Sequence, residues 1–141
     1  MAKQSLIETA KAPIIAYNKK NWDAVRAAIA PRFVHDEVGT QRKTQGADKL
    51  IEMWQGWARA LPDSKATFRN ALVSGNTVVL EVIWRGTHTG PLQTPGGEVA
   101  PTGNKFELRA CQVIEVAAGK ARSMRHYFDM ATLMQQLGVG R

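Results

Sequence analysis

Apolar positions recur every three or four residues up to Leu61 and every second residue after Lys65, so the chain divides into helices first and strands second. Leu6, Ile7, Ala10, Ile14 and Tyr17 form the first helical series. Ser5 and Glu8 open it at capping-box spacing, and Pro13 inside it predicts a kink or a later start. "NWDAVRAAI" predicts a short second helix begun by Asn21 and stopped before Pro31. A short strand, "RFVHDEV", leads to a third helix over Gly46 to Leu61, with Leu50, Ile51, Trp54, Trp57 and Leu61 on one face and "LPDS" as its stop. "ATFRNALV", "TVVLEVIWRGTHT", "KFELRACQVIEV" and "KARSMRHYF" are strand-like, being rich in β-branched and aromatic residues. "SGN" and "AAGK" are hairpin turns, and "GPLQTPGGEVAPTGN" is a longer Gly/Pro loop. In "RHYFDMATLMQQLGV" the period passes from two to helical at Asp129. This order predicts one α+β domain over residues 1–141: N-terminal helices packed on the concave face of a curved, mainly antiparallel sheet.

Alternation then assigns faces. With Ala118 and Gly119 as turn residues, simple antiparallel pairing places Asp129 opposite Leu108, Tyr127 opposite Ala110, Arg125 opposite Gln112 and Ser123 opposite Ile114. All of these share a face with Phe106. The other face receives Glu107, Arg109, Cys111, Glu115, Arg122, Met124, His126 and Phe128. The first set is the more apolar and is expected to be covered, which leaves Arg125, Tyr127, Asp129 and Gln112 as polar groups on a greasy surface. In "TVVLEVIWRGTHT" the same rule groups Val78, Leu80, Val82 and Trp84 with a terminal His88. Apolar walls with a few titratable groups are the usual form of a small-molecule site.

Composition narrows the class. The formal charge is +7. Apart from "NKKN" and "QRK", however, the basic residues are dispersed among acids, without zinc-finger or RNA-binding motifs. Nucleic acid is therefore not the expected partner, and the charge serves solubility and attraction of anionic small molecules. No stretch has the apolar length of a membrane span, and the N-terminal residues lack the layout of a signal peptide. With Cys111 alone, no internal disulfide is possible, and a cytoplasmic location is expected. The three histidines, His35, His88 and His126, lack paired metal-ligand spacing, so no metal and no cofactor is expected.

"GADKLIEMWQGWARALPDS", "WRGTHTGPL", "PTGNKFELR", the "GK" turn, "RHYFD" and "LMQQLG" together resemble the SnoaL-like polyketide cyclase (ester cyclase) family over Phe33 to Gly138. That family belongs to the superfamily of ketosteroid isomerase and nuclear transport factor 2. The resemblance implies a cone-shaped α+β barrel enclosing one deep pocket, and acid/base chemistry without metal or cofactor on a hydrophobic carbonyl compound. In such cyclases an aspartate near the end of the last strand removes a proton from activated carbon, and an intramolecular aldol reaction closes a ring. The matching position is Asp129, and His88 and Gln112 would contact substrate oxygens.

Each candidate has a plainer reading beside it. Asp129 is also placed to cap the closing helix, which lowers a pKa, whereas a base for C–H acids gains from apolar surroundings. Arg125 and Tyr127 form either an internal ion pair with a packed ring or part of the site. His35 and His88 are structural or pocket residues, and of His35, Asp36 and Glu37 only alternate members can face inward. Trp54, Trp57 and Trp84 are core that can also serve as pocket wall. The alternatives to a cyclase or isomerase are a non-catalytic binder of the same fold and an epoxide-hydrolase variant needing a second acid at Asp36 or Glu37. Met124, Phe128 and Cys111 on the outer face of the last hairpin predict a homodimer.

Overall fold

The computed structural model describes residues 2–94 and 96–139. Helices α1 (Lys3–Asn18) and α2 (Trp22–Ala28) lead into β1 (Ile29–Glu37), a 3-10 turn (Val38–Thr40), β2 (Arg42–Gln45) and helix α3 (Ala47–Ala60). Strands β3 (Lys65–Ser74), β4 (Thr77–Thr87), β5 (Leu92–Thr94), β6 (Gly97–Val99), β7 (Lys105–Ala117) and β8 (Lys120–Phe128) follow, and α4 (Met130–Leu137) closes the chain. The fold is α+β, as the sequence predicts.

Six strands form one sheet in the order β2-β1-β8-β7-β4-β3. The run β3-β4-β7-β8 is the antiparallel meander, and β1 then adds in parallel to β8, with β2 antiparallel to β1 beyond it. β5 and β6 make a separate small hairpin inside the segment read as a loop. Its Leu92 is buried against Leu61, Phe106, Leu108 and Leu133, which explains why a Gly/Pro-rich stretch is ordered into strands.

The helices anchor as their apolar spacing requires. In α1, Leu6, Ala10, Ile14 and Tyr17 are buried, and the helix runs through Pro13 without stopping. The backbone bond that Pro13 cannot donate is offset by the burial of that stripe. Ser5 is inside the helix and does not cap it; Ala2 occupies the N-cap without a side-chain bond. In α2, Asn21 accepts from the Ala24 amide at 3.1 Å, as expected of an N-cap. Leu50, Ile51 and Trp54 of α3 face the main core. The end of α3 is locked by Gly90, whose amide donates to the Ala60 carbonyl at 3.0 Å. A Cβ at Gly90 would stand 1.8 Å from the Arg59 carbonyl oxygen, so only glycine lets the chain pass.

Register decides the site. Ala117 and Lys120 pair across the turn as predicted, with Ala118 and Gly119 both at positive φ. A bulge follows at once: Val116 pairs with Ala121, but Glu115 pairs with Ser123, so β8 carries one extra residue. From there Ile114 faces Met124, Gln112 faces His126 and Ala110 faces Phe128. Every later side chain of β8 is thereby moved to the face opposite the one simple alternation assigns. Met124 is buried, and Arg125, Tyr127 and Asp129 lie on the outside.

Candidate functional site

One cavity of about 70 Å³ sits between the inner face of the sheet and the helices, several times the room a buried water needs. Its walls are almost wholly apolar, with Trp54, Trp57, Trp84, Phe106, Leu108 and Phe128 among them. Five polar side chains also line it: Glu37 from β1, His126 from β8, Gln112 from β7, Tyr17 from α1, and Ser64 from the turn after α3.

Glu37 and His126 are register neighbours on the parallel pair β1 and β8, which turns both inward. Glu37 is buried and charged, held by Arg42 Nη2 at 2.7 Å, Arg42 Nε at 3.1 Å and the Thr40 hydroxyl, all on Oε1. Trp57 Nε1 donates to Oε2 at 2.9 Å, which leaves that oxygen with free acceptor capacity. Burial pushes the Glu37 pKa up, but Thr40, Arg42 and Trp57 together outweigh it, and the net shift is down. The group is therefore a carboxylate at neutral pH.

His126 is half-buried, and its Nε2 is enclosed without a hydrogen-bond partner. Burial, and then the neighbouring His35, push its pKa down to about 3 against the opposing pull of Glu37. It is a neutral imidazole, able to donate from one nitrogen and accept at the other. Gln112 is 1% exposed, and its Oε1 also lacks a partner. The Trp84 indole nitrogen is a third buried group left open. Three of the buried side-chain polar atoms without a partner, on His126, Gln112 and Trp84, thus belong to residues that line this apolar cavity.

At the other polar position Tyr17 Oη and Ser64 Oγ are 2.7 Å apart. Burial pushes the Tyr17 pKa up to about 12, against the Ser64 hydrogen bond, so Tyr17 stays a neutral phenol. The Tyr17 ring meets Trp84, Trp54 and Trp22 edge to face.

The residues expected at the site fall into two groups. Gln112, Trp54 and Trp84 line the cavity. Asp129, Arg125, Tyr127, His88 and His35 do not. Asp129 is exposed and caps α4: its carboxylate accepts from the Ala131 amide at 3.0 Å and the Thr132 hydroxyl at 2.7 Å, and these bonds hold its pKa below the usual carboxylate value. Arg125 points outward, 3.7 Å from Glu115, and Tyr127 is 42% exposed. Both corrections have one cause, the β8 bulge. His88 is buried but bonded to Thr102 at 3.0 Å, where it ties the segment before β5 to the segment after β6. His35 is wholly enclosed between Phe33 and Trp54, with neither nitrogen bonded, and burial pushes its pKa down to about 4. Asp36 pairs in register with Arg125 on the outer side, so of the trio only His35 and Glu37 turn inward. Simple alternation misses His126 as a site residue and leaves open which of His35, Asp36 and Glu37 turns inward. The signal for His126 was present, because Met124 and Phe128 beside it make its side of the strand the apolar one. Among the described residues no cluster of three or more His, Cys, Asp or Glu side chains is placed to hold a metal. No described helix is long and apolar enough to cross a membrane.

The cavity, apolar but for a few inward polar groups, lies between the helices and the six-stranded sheet. Residues 8–137 match the SnoaL-like polyketide cyclase family. The chain belongs to that family. Among solved structures it is similar to IdmH from Streptomyces antibioticus, a candidate polyketide cyclase, at 26% identity and a TM-score of 0.80, covering 95% of this chain and 99% of that one. A candidate SnoaL-like polyketide cyclase from Jannaschia sp. CCS1 superposes with a TM-score of 0.85 at 18% identity, over 98% of this chain and 94% of its own. A protein of ketosteroid isomerase-like fold from Catenulispora acidiphila, crystallised with trimethylamine, gives 0.79 at 15% identity over 94% of each chain. No curated protein matches the sequence. The family supports a role in small-molecule processing for this SnoaL-like protein.

Proposed function

We propose that this SnoaL-like protein is a cofactor-independent acid/base enzyme acting on a hydrophobic carbonyl compound, by aldol ring closure or isomerisation, and that Glu37 and His126 take the part first expected of Asp129. The observation that carries the reading is the juxtaposition of Glu37 and His126 inside an apolar cavity, next to unpartnered atoms of Gln112 and Trp84. In the proposed step the free acceptor capacity of Glu37 Oε2 takes a proton from carbon next to a carbonyl. The C–H electron pair becomes an enolate, whose oxygen accepts hydrogen bonds from the neutral His126 and the Trp84 N–H. In ring closure the enolate carbon attacks a second carbonyl of the same molecule, and the resulting alkoxide takes a proton back. In isomerisation the proton returns to a different carbon. A neutral imidazole suits the oxyanion-facing part, since it polarises a carbonyl without needing a charge in an apolar site. A carboxylate whose pKa is low remains an adequate base where the carbon acid is already activated by carbonyls.

The test uses deuterium exchange, which needs no knowledge of the natural substrate. 2-Tetralone, a hydrophobic ketone with acidic C–H bonds, is followed by proton NMR in heavy water with and without protein. Exchange faster than in buffer supports the enzyme. Saturable binding with exchange at the buffer rate leaves a non-catalytic binding protein.

We further propose a homodimer through the outer face of the sheet, where Val79, Ile83 and Val113 are half-buried and Tyr127 is exposed. Met124 and Phe128, first expected there, point into the interior, so only Cys111 of that trio remains on this face. The lone free cysteine fits a reducing cytoplasm, where we place the protein.

A further inference from the structure

The cavity has two polar poles, and only one is used by the chemistry above. Tyr17 and Ser64 form the second. Tyr17 is on α1 and Ser64 lies 47 residues on, in the turn between α3 and β3, yet their hydroxyls meet at 2.7 Å on the cavity wall. Lys20 fixes this corner from outside: its ammonium donates to the Ser64 carbonyl at 2.5 Å and lies 4.3 Å from the centre of the Tyr17 ring. Two hydroxyls bonded to each other use one proton between them, so one O–H remains free to donate, with lone pairs free to accept. That free capacity belongs to a buried pair facing an apolar space.

The wall joining the poles is aromatic. Tyr17 and Trp84 rings are 5.4 Å apart, Trp84 and His126 6.1 Å, and His126 and Phe128 4.9 Å. Edge-to-face and tilted rings of this kind present a surface suited to a flat conjugated body. Charge completes the description. Among the described residues no lysine or arginine lines the cavity, His126 is neutral, and the one ionised lining group is Glu37. Despite the +7 charge of the whole chain, the interior disfavours a carboxylate.

We infer that the Tyr17–Ser64 pair is a positioning and specificity site for the distal oxygen of an uncharged, flat, conjugated substrate whose reacting carbonyl lies at the Glu37–His126 end. The inference rests on the proposed acid/base reading for the direction in which the substrate lies. A hydroxyl or carbonyl bound at this pole fixes the reacting carbon against Glu37. The discrimination expected is modest, because in the empty cavity the two hydroxyls satisfy each other and are not left bare by a ligand that lacks the oxygen.

The experiment uses three naphthalenes of similar size, with binding followed by quenching of tryptophan fluorescence. 6-Hydroxy-2-acetylnaphthalene carries an oxygen at each end, 2-acetylnaphthalene lacks the hydroxyl, and 6-hydroxy-2-naphthoate carries a carboxylate in place of the ketone. The wild-type protein is expected to bind the hydroxy ketone about tenfold more tightly than the plain ketone, one hydrogen bond's worth of affinity. The naphthoate is expected to bind more weakly than either. Tyr17→Phe, which keeps the ring, and Ser64→Ala should each bring the two ketones to within about twofold while leaving the affinity for the plain ketone unchanged. A residue needed only for packing would weaken both ketones together. Equal binding of the two ketones by the wild type, discrimination that survives in both variants, or preference for the naphthoate overturns the inference. The 2-tetralone exchange assay reads the other pole separately. Hydroxyl preference without exchange keeps the pair and removes the acid/base reading, whereas exchange without hydroxyl preference removes the pair and keeps the chemistry.

Discussion

Gln112 of β7 stands opposite His126 of β8, and Arg125 stands opposite Val113 on the other side of the sheet. This pairing makes the inner surface of the last hairpin Ile114, Met124, Gln112, His126, Ala110 and Phe128, an apolar surface holding one amide and one imidazole. It also sends the motif's acid, Asp129, to the exterior, where it starts α4.

Asp129→Asn should therefore leave exchange of 2-tetralone at the wild-type rate and the fold intact, since asparagine caps a helix nearly as well as aspartate. Asp129→Ala removes both cap bonds and should lower the melting temperature slightly, again without loss of exchange. Loss of exchange in a well-folded Asn variant would return the proton shuttle to Asp129.

The faces of β4 and β7 were legible in the sequence because alternation runs unbroken through them. Val78, Leu80 and Val82 face inward from β4, and Phe106, Leu108, Ala110, Gln112 and Ile114 from β7. The α3 stripe was legible for the same reason, with a period of 3.6. β8 was misread because its face was inferred by pairing outward from the turn, and one bulge reverses such an inference. Its own spacing holds the clue: Ala121 and Met124, both buried, are three apart, which no regular strand allows. The β1–β8 pairing was illegible for another reason. It joins segments about ninety residues apart, in parallel, and no local pattern encodes which strand lies beside which. With it went the partnership of Glu37 and His126.

The two inward histidines make stability depend on pH. His35 and His126 have folded pKa values near 4 and 3, below the ordinary 6.5, so the unfolded chain binds more protons between those limits. Stability should be full above pH 6.5 and fall as the pH drops towards 4. Glu37, with a lowered pKa, adds a further loss below its ordinary 4.5. Urea unfolding at pH 7.5, 6.0 and 5.0 should show the decline, and His35→Gln should flatten its slope. A constant midpoint over this range would mean that these imidazoles are charged in the folded protein.

Gly90→Ala should be among the most damaging conservative changes. The new methyl group meets the Arg59 carbonyl and can be accommodated only by moving the end of α3 or the segment before β5. Overpacking of this kind costs about 1–3 kcal/mol, more where backbone blocks the way. Chemical denaturation is the measure. Because Trp57 and Leu61 of the displaced region line the cavity, ketone binding should weaken in parallel.

If the outer sheet face pairs two copies, Val113→Lys should convert a dimer to a monomer in sedimentation at micromolar concentration while leaving the fold unchanged. Val113 is half-buried on the face opposite the cavity, so a lysine there extends into solvent in a lone chain. A monomeric wild type would remove the proposed interface.

The inner pair is tested by Glu37→Gln. Glutamine keeps the shape and can still meet Trp57, but it cannot take a proton, so exchange of 2-tetralone should fall by at least about a hundredfold with binding little changed. The variant also leaves Arg42 without its carboxylate. Arg42 is half-exposed and can turn to water, so the fold should survive near neutral pH, which circular dichroism checks. His126→Phe preserves the ring between Trp84 and Phe128 and removes only the nitrogens. If the imidazole hydrogen-bonds the enolate, this variant should also lose about a hundredfold in exchange, because a donor aimed at a developing oxyanion commonly supplies that much. The double variant should then be little worse than either single one, as expected when two groups serve one step. Independent, additive losses would mean that Glu37 and His126 act on different parts of the ligand. Full exchange in Glu37→Gln would show that the carboxylate holds Arg42 and Trp57 in place and that the base lies elsewhere.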